Sequence, residues 1–310
     1  MAPDHPELRP PTYPPPPFPR DADFPRAAEW LSSPVEEPRA VVVGLPFSGL
    51  SLSGARCDLL PDALRAALWS FSTYFAGDGI DLLDLEAADL GDVDLQGLSP
   101  EAALGRIESA ISSLAVPPLA LIGGDNSVTA PAVMGSVGSN GALITLDAHH
   151  DLRDYRRDGL SNGSPVRVIL DSGIDGSRIW QIGIRDFANS RAYSDLADKE
   201  GITVFRAPEV RKLGISNVVE QALAELGERA VYVDLDLDVV ERAFAPGAPA
   251  AQPGGLDPED VLEAAFICGS HPSVRAMDIV EVDPERDVGG VTVRLAALAL
   301  LYFLAGVSRR

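Results

Sequence analysis

Two short apolar runs that end in alternating acidic side chains restrict the fold of this chain more than any other feature. They occupy residues 142–146 and 231–235. Potential metal ligands follow each run at alternate positions: Asp147, His149 and Asp151 after the first, and Asp236 and Asp238 after the second. Alternate side chains of an extended segment share one face, so each strand end would aim its ligands into one pocket. Because two facing acidic strand ends repel unless cations lie between them, we expect a divalent cation there.

Further apolar runs recur along the chain and alternate with segments of helical periodicity. Strands are expected at residues 40–44, 119–122, 142–146, 178–184, 203–205, 231–237 and 274–280. Helices are expected at 61–71, 100–114, after Asn126, and at 189–199, 216–226, 257–267 and 292–304. This alternation predicts an α/β fold whose largely parallel sheet is covered by helices on both faces. Ligands gather beyond the carboxyl ends of such strands, where both acidic clusters fall.

The first 38 residues differ in composition from the rest. Residues 1–38 are proline-rich, with four consecutive prolines at 14–17. They predict a polyproline-like arm or disordered extension, either solvated or packed over a neighbouring subunit. Residues 39–310 are expected to form one catalytic domain.

The formal net charge of -21 argues against nucleic acid or an anionic membrane surface as a partner. The two cysteines, Cys57 and Cys268, form no ligand cluster, which favours reduced thiols in a cytoplasm. No secretory signal pattern opens the chain. The most hydrophobic tract, 295–307, is shorter than the roughly 20 residues of a spanning helix and predicts a buried helix.

The ligand types indicate which cation to expect. Four carboxylates and one imidazole, without a thiolate, suit Mn²⁺, while Zn²⁺, Ni²⁺ and Fe²⁺ stay open on ligand type. Water held between two such ions has a lowered pKa and can attack a planar carbon.

Four motifs, in this order, resemble those of the ureohydrolase superfamily, which includes arginases, agmatinases and formimidoylglutamases. They are GGDNS at 123–127, DAHHD at 147–151, DLDVVERAFAPG at 236–247 and MDIVEVDP at 277–284. The resemblance covers residues 40–308. It implies a three-layer α/β/α sandwich with a mainly parallel sheet, hydrolysis of a linear C–N bond in a guanidine or formamidine, and assembly into a trimer or hexamer.

The resemblance also implies a ligand set for two Mn²⁺ ions: Asn126, Asp147, His149, Asp151, Asp236 and Asp238. Asn126 stands where the family has a histidine, and its neutral amide oxygen is a weaker donor, so one ion is expected to bind loosely. Asp234 is either an acceptor behind the ligands or an additional ligand. His150 should point to the opposite face from His149.

Catalytic and substrate-binding residues follow from the same resemblance. Glu281 matches the glutamate that faces the amidine or guanidine nitrogens, and Asp151 would relay a proton to the leaving nitrogen. Arg153 belongs to a group of four arginines at 153–167 that suits a carboxylated substrate. Asn162 and Ser164 lie in a segment that resembles formimidoylglutamases, whereas arginases and agmatinases carry His-Gly there.

The expected reaction is therefore hydrolysis of N-formimidoyl-L-glutamate in histidine degradation, with a product of the N-formyl or formamide type. We expect hydroxide to attack the formimidoyl carbon and ammonia to be expelled, which gives N-formyl-L-glutamate. One alternative is an agmatinase-like or guanidino-acid hydrolase that releases urea. A second is a metal-poor family member that binds a ligand with little catalysis.

Overall fold

The computed structural model describes residues 6–19, 21–114 and 118–310. Residues 1–5 and 20 of the proline-rich arm, and residues 115–117, lie outside the described residues. Nine strands form one sheet: β1 (Leu8–Arg9), β2 (Ala40–Gly44), β3 (Ala87–Val93), β4 (Leu119–Ile122), β5 (Ala142–Leu146), β6 (Ile179–Ile184), β7 (Thr203–Arg206), β8 (Val231–Asp236) and β9 (Val274–Val280). Tyr74–Phe75 and Ile80–Asp81 form a separate two-stranded ribbon.

The sheet order is β1-β3-β2-β4-β9-β8-β5-β6-β7. All neighbours run parallel except β1, which pairs antiparallel with β3 at one edge. The central four strands are thus β4, β9, β8 and β5, and the motifs singled out in the sequence follow these strands. Their carboxyl ends meet at one edge of the sheet, as expected for a parallel sheet.

Helices cover both faces of the sheet. They are α1 (Ala27–Leu31), α2 (Leu60–Ala67), α3 (Pro100–Ser113), α4 (Thr129–Ser136), α5 (Tyr155–Asp158), α6 (Pro165–Asp171), α7 (Arg191–Glu200), α8 (Ala207–Leu213), α9 (Ile215–Leu226), α10 (Pro258–Ser270) and α11 (Val291–Val307). Alternate residues of the strands face one core shared with α2 and α8 to α11, and the others face a second core shared with α3, α4, α6 and α7. The predicted three-layer α/β/α fold is confirmed.

Most expected elements are present with small shifts of their ends. The apolar tract near the carboxyl terminus lies in α11, which is largely buried. No helix within the described ranges is long and apolar enough to cross a membrane. Both cysteines are buried and free.

Strand β3 has no counterpart among the strands expected from the sequence. Its sequence, AADLGDV, carries two aspartates and a glycine, which are depleted in strands. In the structure Arg65 of α2 pairs with both acids: it donates to Asp89 at 2.7 and 3.0 Å and to Asp92 at 2.7 Å. The partner lies more than twenty residues away in sequence, so no local pattern could reveal it.

The same acidic strand holds part of the proline-rich arm. The hydroxyl of Tyr13 donates to Asp89 at 2.8 Å, and the indole of Trp69 donates to the carbonyl of Pro14 at 3.0 Å. Gly91 has a φ of 91° and passes so close to Arg9 that an added Cβ would overlap its carbonyl oxygen. These contacts fix residues 8–14 to the edge of the sheet.

Replacing Arg65 tests this buried ion cluster. Arg65→Met leaves Asp89 and Asp92 without their cation, and loss of one partner of a buried pair costs about 3–5 kcal/mol. We expect the free energy of unfolding in urea to fall by about that amount. Arg157→Met, which removes an exposed arginine paired with Asp158, is the matched control and should have little effect. Equal stability of the two variants would contradict the role of the cluster.

Candidate metal centre

A compact acidic cluster lies where the central strands end. Asp147 and His149 follow β5, Asp236 ends β8 and Asp238 comes two residues later. Glu281 follows β9 directly. Since β5, β8 and β9 are neighbours in the sheet, the fold brings side chains from distant parts of the sequence to one edge.

Three of the predicted ligands form the first half of the cluster. Ligand atoms of Asp147, His149 and Asp238 all lie within 4.8 Å of one another. The Nδ1 atom of His149 lies 2.9 Å from Asp238 and 3.4 Å from Asp147. Two carboxylates and an imidazole at this spacing could hold a divalent cation.

The other predicted ligands form the second half. The amide nitrogen of Asn126 donates to Asp151 at 2.8 Å and to Asp236 at 3.3 Å. Its amide oxygen faces the other way and lies 2.7 Å from the hydroxyl of Thr129. The NH₂ group thus stands between two carboxylates, and Asn126 must turn its amide before its oxygen can ligate a cation.

A buried polar network continues below Asn126. The Thr129 hydroxyl also lies 2.8 Å from Asp278, and Tyr232 donates to the same carboxylate oxygen at 2.7 Å. Asp234 pairs in register with Asp278 on the neighbouring strand and is buried. Burial and the nearby charge of Asp278 raise the pKa of Asp234 well above its usual value. Asp234 therefore lies behind the ligand cluster, in contact with the network.

The electrostatics of the cluster favour bound positive charge. The charge of Asp238 raises the pKa of His149 to about 12, so its imidazole is a cation in the metal-free protein. Burial, reinforced by Asp238, raises the pKa of Asp147 to about 6. Burial also raises the pKa values of Asp151 and Asp236 well above the usual range. Protons thus take up negative charge that a divalent cation would otherwise neutralise.

Two of the predicted catalytic residues have an unusual backbone. Asp151 has a φ of 51° and Glu281 a φ of 59°, in the left-handed region that non-glycine residues seldom adopt. Phe187, with a φ of 64°, is the third described non-glycine residue in this region, and it directly precedes Ala188 of the cavity wall. Such strained residues concentrate at functional sites.

A cavity of about 280 Å³ opens above the cluster. Seven of the ten predicted site residues line it: His149, Asp151, Arg153, Asn162, Asp236, Asp238 and Glu281. Asn126 and Asp147 are buried behind this lining. Ser164 does not line the cavity, because its buried hydroxyl donates to the carbonyl of Ser161 at 2.7 Å.

Glu281 is held in place by two donors that bind the same oxygen. The backbone N–H of Asn126 and the side-chain amide of Asn162 each donate to its Oε1 at 2.8 Å. The second oxygen, Oε2, has no hydrogen-bond partner in the described part of the chain. Burial and then the charge of Asp125 raise the pKa of Glu281 to about 8.

The four arginines of the basic loop differ in their partners. Arg156 and Arg167 pair with Asp171 at 2.9 and 3.3 Å, and Arg157 pairs with Asp158 at 2.8 Å. Arg153 lines the cavity, and its guanidinium has no ion-pair or hydrogen-bond partner among the residues described. Of the four arginines, only Arg153 lines the cavity, where a bound molecule could contact it.

Gly163 is a residue that the sequence did not single out by itself. An added Cβ at this position would lie 2.7 Å from Cδ of Arg153, so the arginine side chain crosses the glycine in van der Waals contact. A larger residue would displace that side chain. The only sequence signal is the glycine of the NGSP segment itself. Nothing in the local sequence requires a glycine at that position.

His150 faces away from the cluster. Its ring nitrogens lie 2.6 Å from Gln181 and 3.2 Å from the hydroxyl of Ser194. These contacts join the loop after β5 to strand β6 and helix α7.

The comparisons with known proteins agree with this geometry. A family model described as the Arginase family matches residues 38–306. The formimidoylglutamase of Halalkalibacterium halodurans is 37% identical over 275 residues, 86% of this chain and 86% of that protein. The proclavaminate amidinohydrolase of Streptomyces clavuligerus is 33% identical over 308 residues, 94% of this chain and 96% of that protein. The solved structure of formimidoylglutamase from Bacillus subtilis has a TM-score of 0.87 and 30% identity, covering 93% of each chain.

Metal binding should release protons. Because the pKa of His149 is raised to about 12, its imidazole is protonated near neutral pH, and only the neutral ring can ligate a metal. We expect Mn²⁺ affinity to rise with pH, about tenfold per pH unit for each proton released. Calorimetric titration in buffers of different ionisation enthalpy measures that number. His149→Gln should release about one proton fewer, and binding without proton release would contradict this account of the cluster.

Proposed function

The chain belongs to the arginase family, and on that premise we propose that it is a manganese-dependent hydrolase of a linear amidine that carries a carboxylate. N-formimidoyl-L-glutamate is the substrate we favour. The observation that carries the proposal is the common cavity of the acidic cluster, Glu281 and the unpaired Arg153. One cavity thereby combines a cation site, an acceptor for amidine N–H groups and an arginine that can bind the carboxylate of the substrate.

The donor set fits Mn²⁺. Asp147, His149 and Asp238 would hold one ion, and Asp151, Asp236 and a reoriented Asn126 amide would contribute to a second. Carboxylate and carbonyl oxygens with an imidazole suit this metal better than thiol-preferring ones. Bound Mn²⁺ would polarise the reacting carbon and lower the pKa of a bound water.

Glu281 is suited to orient the amidine. Its free Oε2 can accept from an amidinium N–H, while Asn126 and Asn162 fix the other oxygen. A cationic amidine beside this carboxyl opposes the upward shift of its pKa and favours the charged form. Pairing of the planar cation with Glu281 would hold its central carbon at the floor of the cavity.

Asp151 is suited to move the proton. It lines the cavity beside the cluster, and burial followed by the charge of Asp147 raises its pKa well above the usual value. With a cation bound nearby the charged carboxylate is favoured, so Asp151 would first take up the proton released by the attacking water and then deliver it to the departing nitrogen.

Chemical analogy within the family indicates which C–N bond breaks. Release of urea from a guanidino compound requires cleavage of the bond to the substituted nitrogen. The same cleavage in N-formimidoyl-L-glutamate adds water across that bond and gives formamide and L-glutamate. We therefore favour these products over N-formyl-L-glutamate and ammonia.

Arg153 would select the carboxylate. Its fork of N–H donors matches a carboxylate, and no acidic side chain among the described residues forms an ion pair with it. Agmatine has no carboxylate and would gain nothing from this contact. A hydrolase of a guanidino acid is the second candidate, because one unpaired arginine satisfies a monocarboxylate as well as one end of a dicarboxylate. The similarity to an amidinohydrolase supports keeping it.

A product assay separates the candidates. Purified protein with added Mn²⁺ is incubated with formimidoylglutamate, guanidinobutyrate, agmatine and arginine. Formamide and glutamate from the first substrate support the proposal. Ammonia and formylglutamate from that substrate indicate cleavage of the other C–N bond. Urea from one of the other substrates identifies a guanidine hydrolase. Asp236→Ala should abolish turnover and remove the metal ion of the second half of the cluster, while Asp147, His149 and Asp238 keep the first ion. Binding of formimidoylglutamate without turnover at saturating Mn²⁺ would indicate a ligand-binding protein.

Two substitutions test the contact with the carboxylate. Arg153→Met removes a charge-assisted hydrogen bond of about 1.5–3 kcal/mol, so KM for the favoured substrate should rise roughly 10- to 150-fold with a smaller change in kcat. Gly163→Ala should raise KM in the same direction by displacing the Arg153 side chain. Arg157→Met is the control, because that arginine is paired outside the cavity. An unchanged KM in Arg153→Met would refute this assignment.

A further inference from the structure

Arg185 is a buried arginine that follows strand β6 and is 7% exposed. Its guanidinium donates to three backbone carbonyls. The distances are 2.7 Å to Asp238, 3.3 Å to Val239 and 2.8 Å to Gln252. One buried side chain therefore hydrogen-bonds to the backbone of Asp238, a proposed metal ligand.

The backbone of Arg185 reaches the other ligand-bearing loop. Its N–H donates to the carbonyl of Ala148 at 3.1 Å, and Ala148 lies between Asp147 and His149. The N–H of Ala148 in turn donates to the carboxylate of Asp238 at 3.2 Å. Arg185 and Ala148 together connect the two loops whose ligand atoms form the first half of the cluster.

The third contact extends to the substrate cavity. Gln252 lies in the loop between β8 and α10, two residues after Ala250, and Pro249 and Ala250 of the same loop line the cavity wall. Because the same guanidinium binds Gln252 and Asp238, the position of this wall is linked to the position of the ligand. An arginine is suited to this task, since its planar fork presents several donors in fixed directions.

The charge of Arg185 also opposes the repulsion within the cluster. Its guanidinium attracts the nearby carboxylates of Asp238, Glu241, Asp147 and Asp236. A fixed cation close to these acids lowers the cost of holding them together before a metal enters.

Arg178, at the start of the same strand, provides a contrast within the chain. It too donates to three carbonyls, those of Ser139, Gly141 and Gly173, at 3.1 to 3.2 Å. None of these residues belongs to the cluster or the cavity wall. The two arginines share a type of contact and differ in what they hold.

We propose that Arg185 is a positioning residue of the metal centre, which sets the backbone of Asp238 against the loop that carries Asp147 and His149. The role rests on the proposed function, because it takes Mn²⁺ as the ion bound there. Arg185 does not touch the substrate or the metal. It acts through the ligand that it holds.

Calorimetric titration of the metal-free, full-length protein with Mn²⁺ tests the role without substrate. Arg185→Met should weaken Mn²⁺ binding about 10- to 100-fold, the usual effect of losing a residue that orients a ligand. Arg185→Lys keeps the positive charge but not the planar group with several N–H donors. Its Mn²⁺ affinity should therefore lie between that of Arg185→Met and that of the unaltered protein. Arg178→Met and Arg178→Lys should lower the midpoint of thermal unfolding but leave the Kd for Mn²⁺ within about twofold.

The outcomes separate this role from the proposed function. If Arg185→Met does not fold, circular dichroism will show it, and the Kd of the milder Arg185→Lys then decides. Unchanged Mn²⁺ affinity in the folded Arg185 variants, or an equal loss in the Arg178 variants, overturns the positioning role alone. Failure of the unaltered protein to bind Mn²⁺ overturns the proposed function as well.

Discussion

Mutual repulsion of buried carboxylates at one edge of the sheet is the constraint on which the rest of the site depends. Asp147, Asp151, Asp236 and Asp238 are all at most 9% exposed and converge from two strands. Water cannot screen these charges, so they require protons or cations. The metal-free protein supplies both, through raised pKa values and through the charges of His149 and Arg185. A divalent cation would take the place of the bound protons, while Arg185 would stay beside the ligand that it holds.

The two halves of the cluster differ in how readily they would accept an ion. In the first, the imidazole of His149 would have to lose the proton that the charge of Asp238 favours. In the second, the NH₂ group of Asn126 occupies the space between Asp151 and Asp236. Its other end lies beside Thr129, so binding an ion there requires rearrangement of a hydrogen-bonded network. From this difference we expect the second half to bind its ion more weakly than the first.

In the proposed function, selection of the substrate would depend on the arginines that are already paired as well as on the one that is not. Arg156, Arg157 and Arg167 have acidic partners, which leaves Arg153 as the cavity's unpaired member of the group. Gly163 makes room for its side chain. The proposed recognition of a carboxylate would thus depend on one arginine side chain in the wall of the cavity.

The sequence by itself determined the α/β class, the central strands and the acidic residues that follow them. Apolar runs, alternation of side chains and motif order are local properties, and β4, β5 and β9 occur where those properties place them. The tertiary structure alone decided strand β3, the amide orientation of Asn126, the partners of the loop arginines and the contacts of Arg185. Each of these depends on groups distant in sequence, whose pairing is set by burial and by the register of the sheet. Local periodicity carries no information about such pairs, because their energy arises only once the chain has folded.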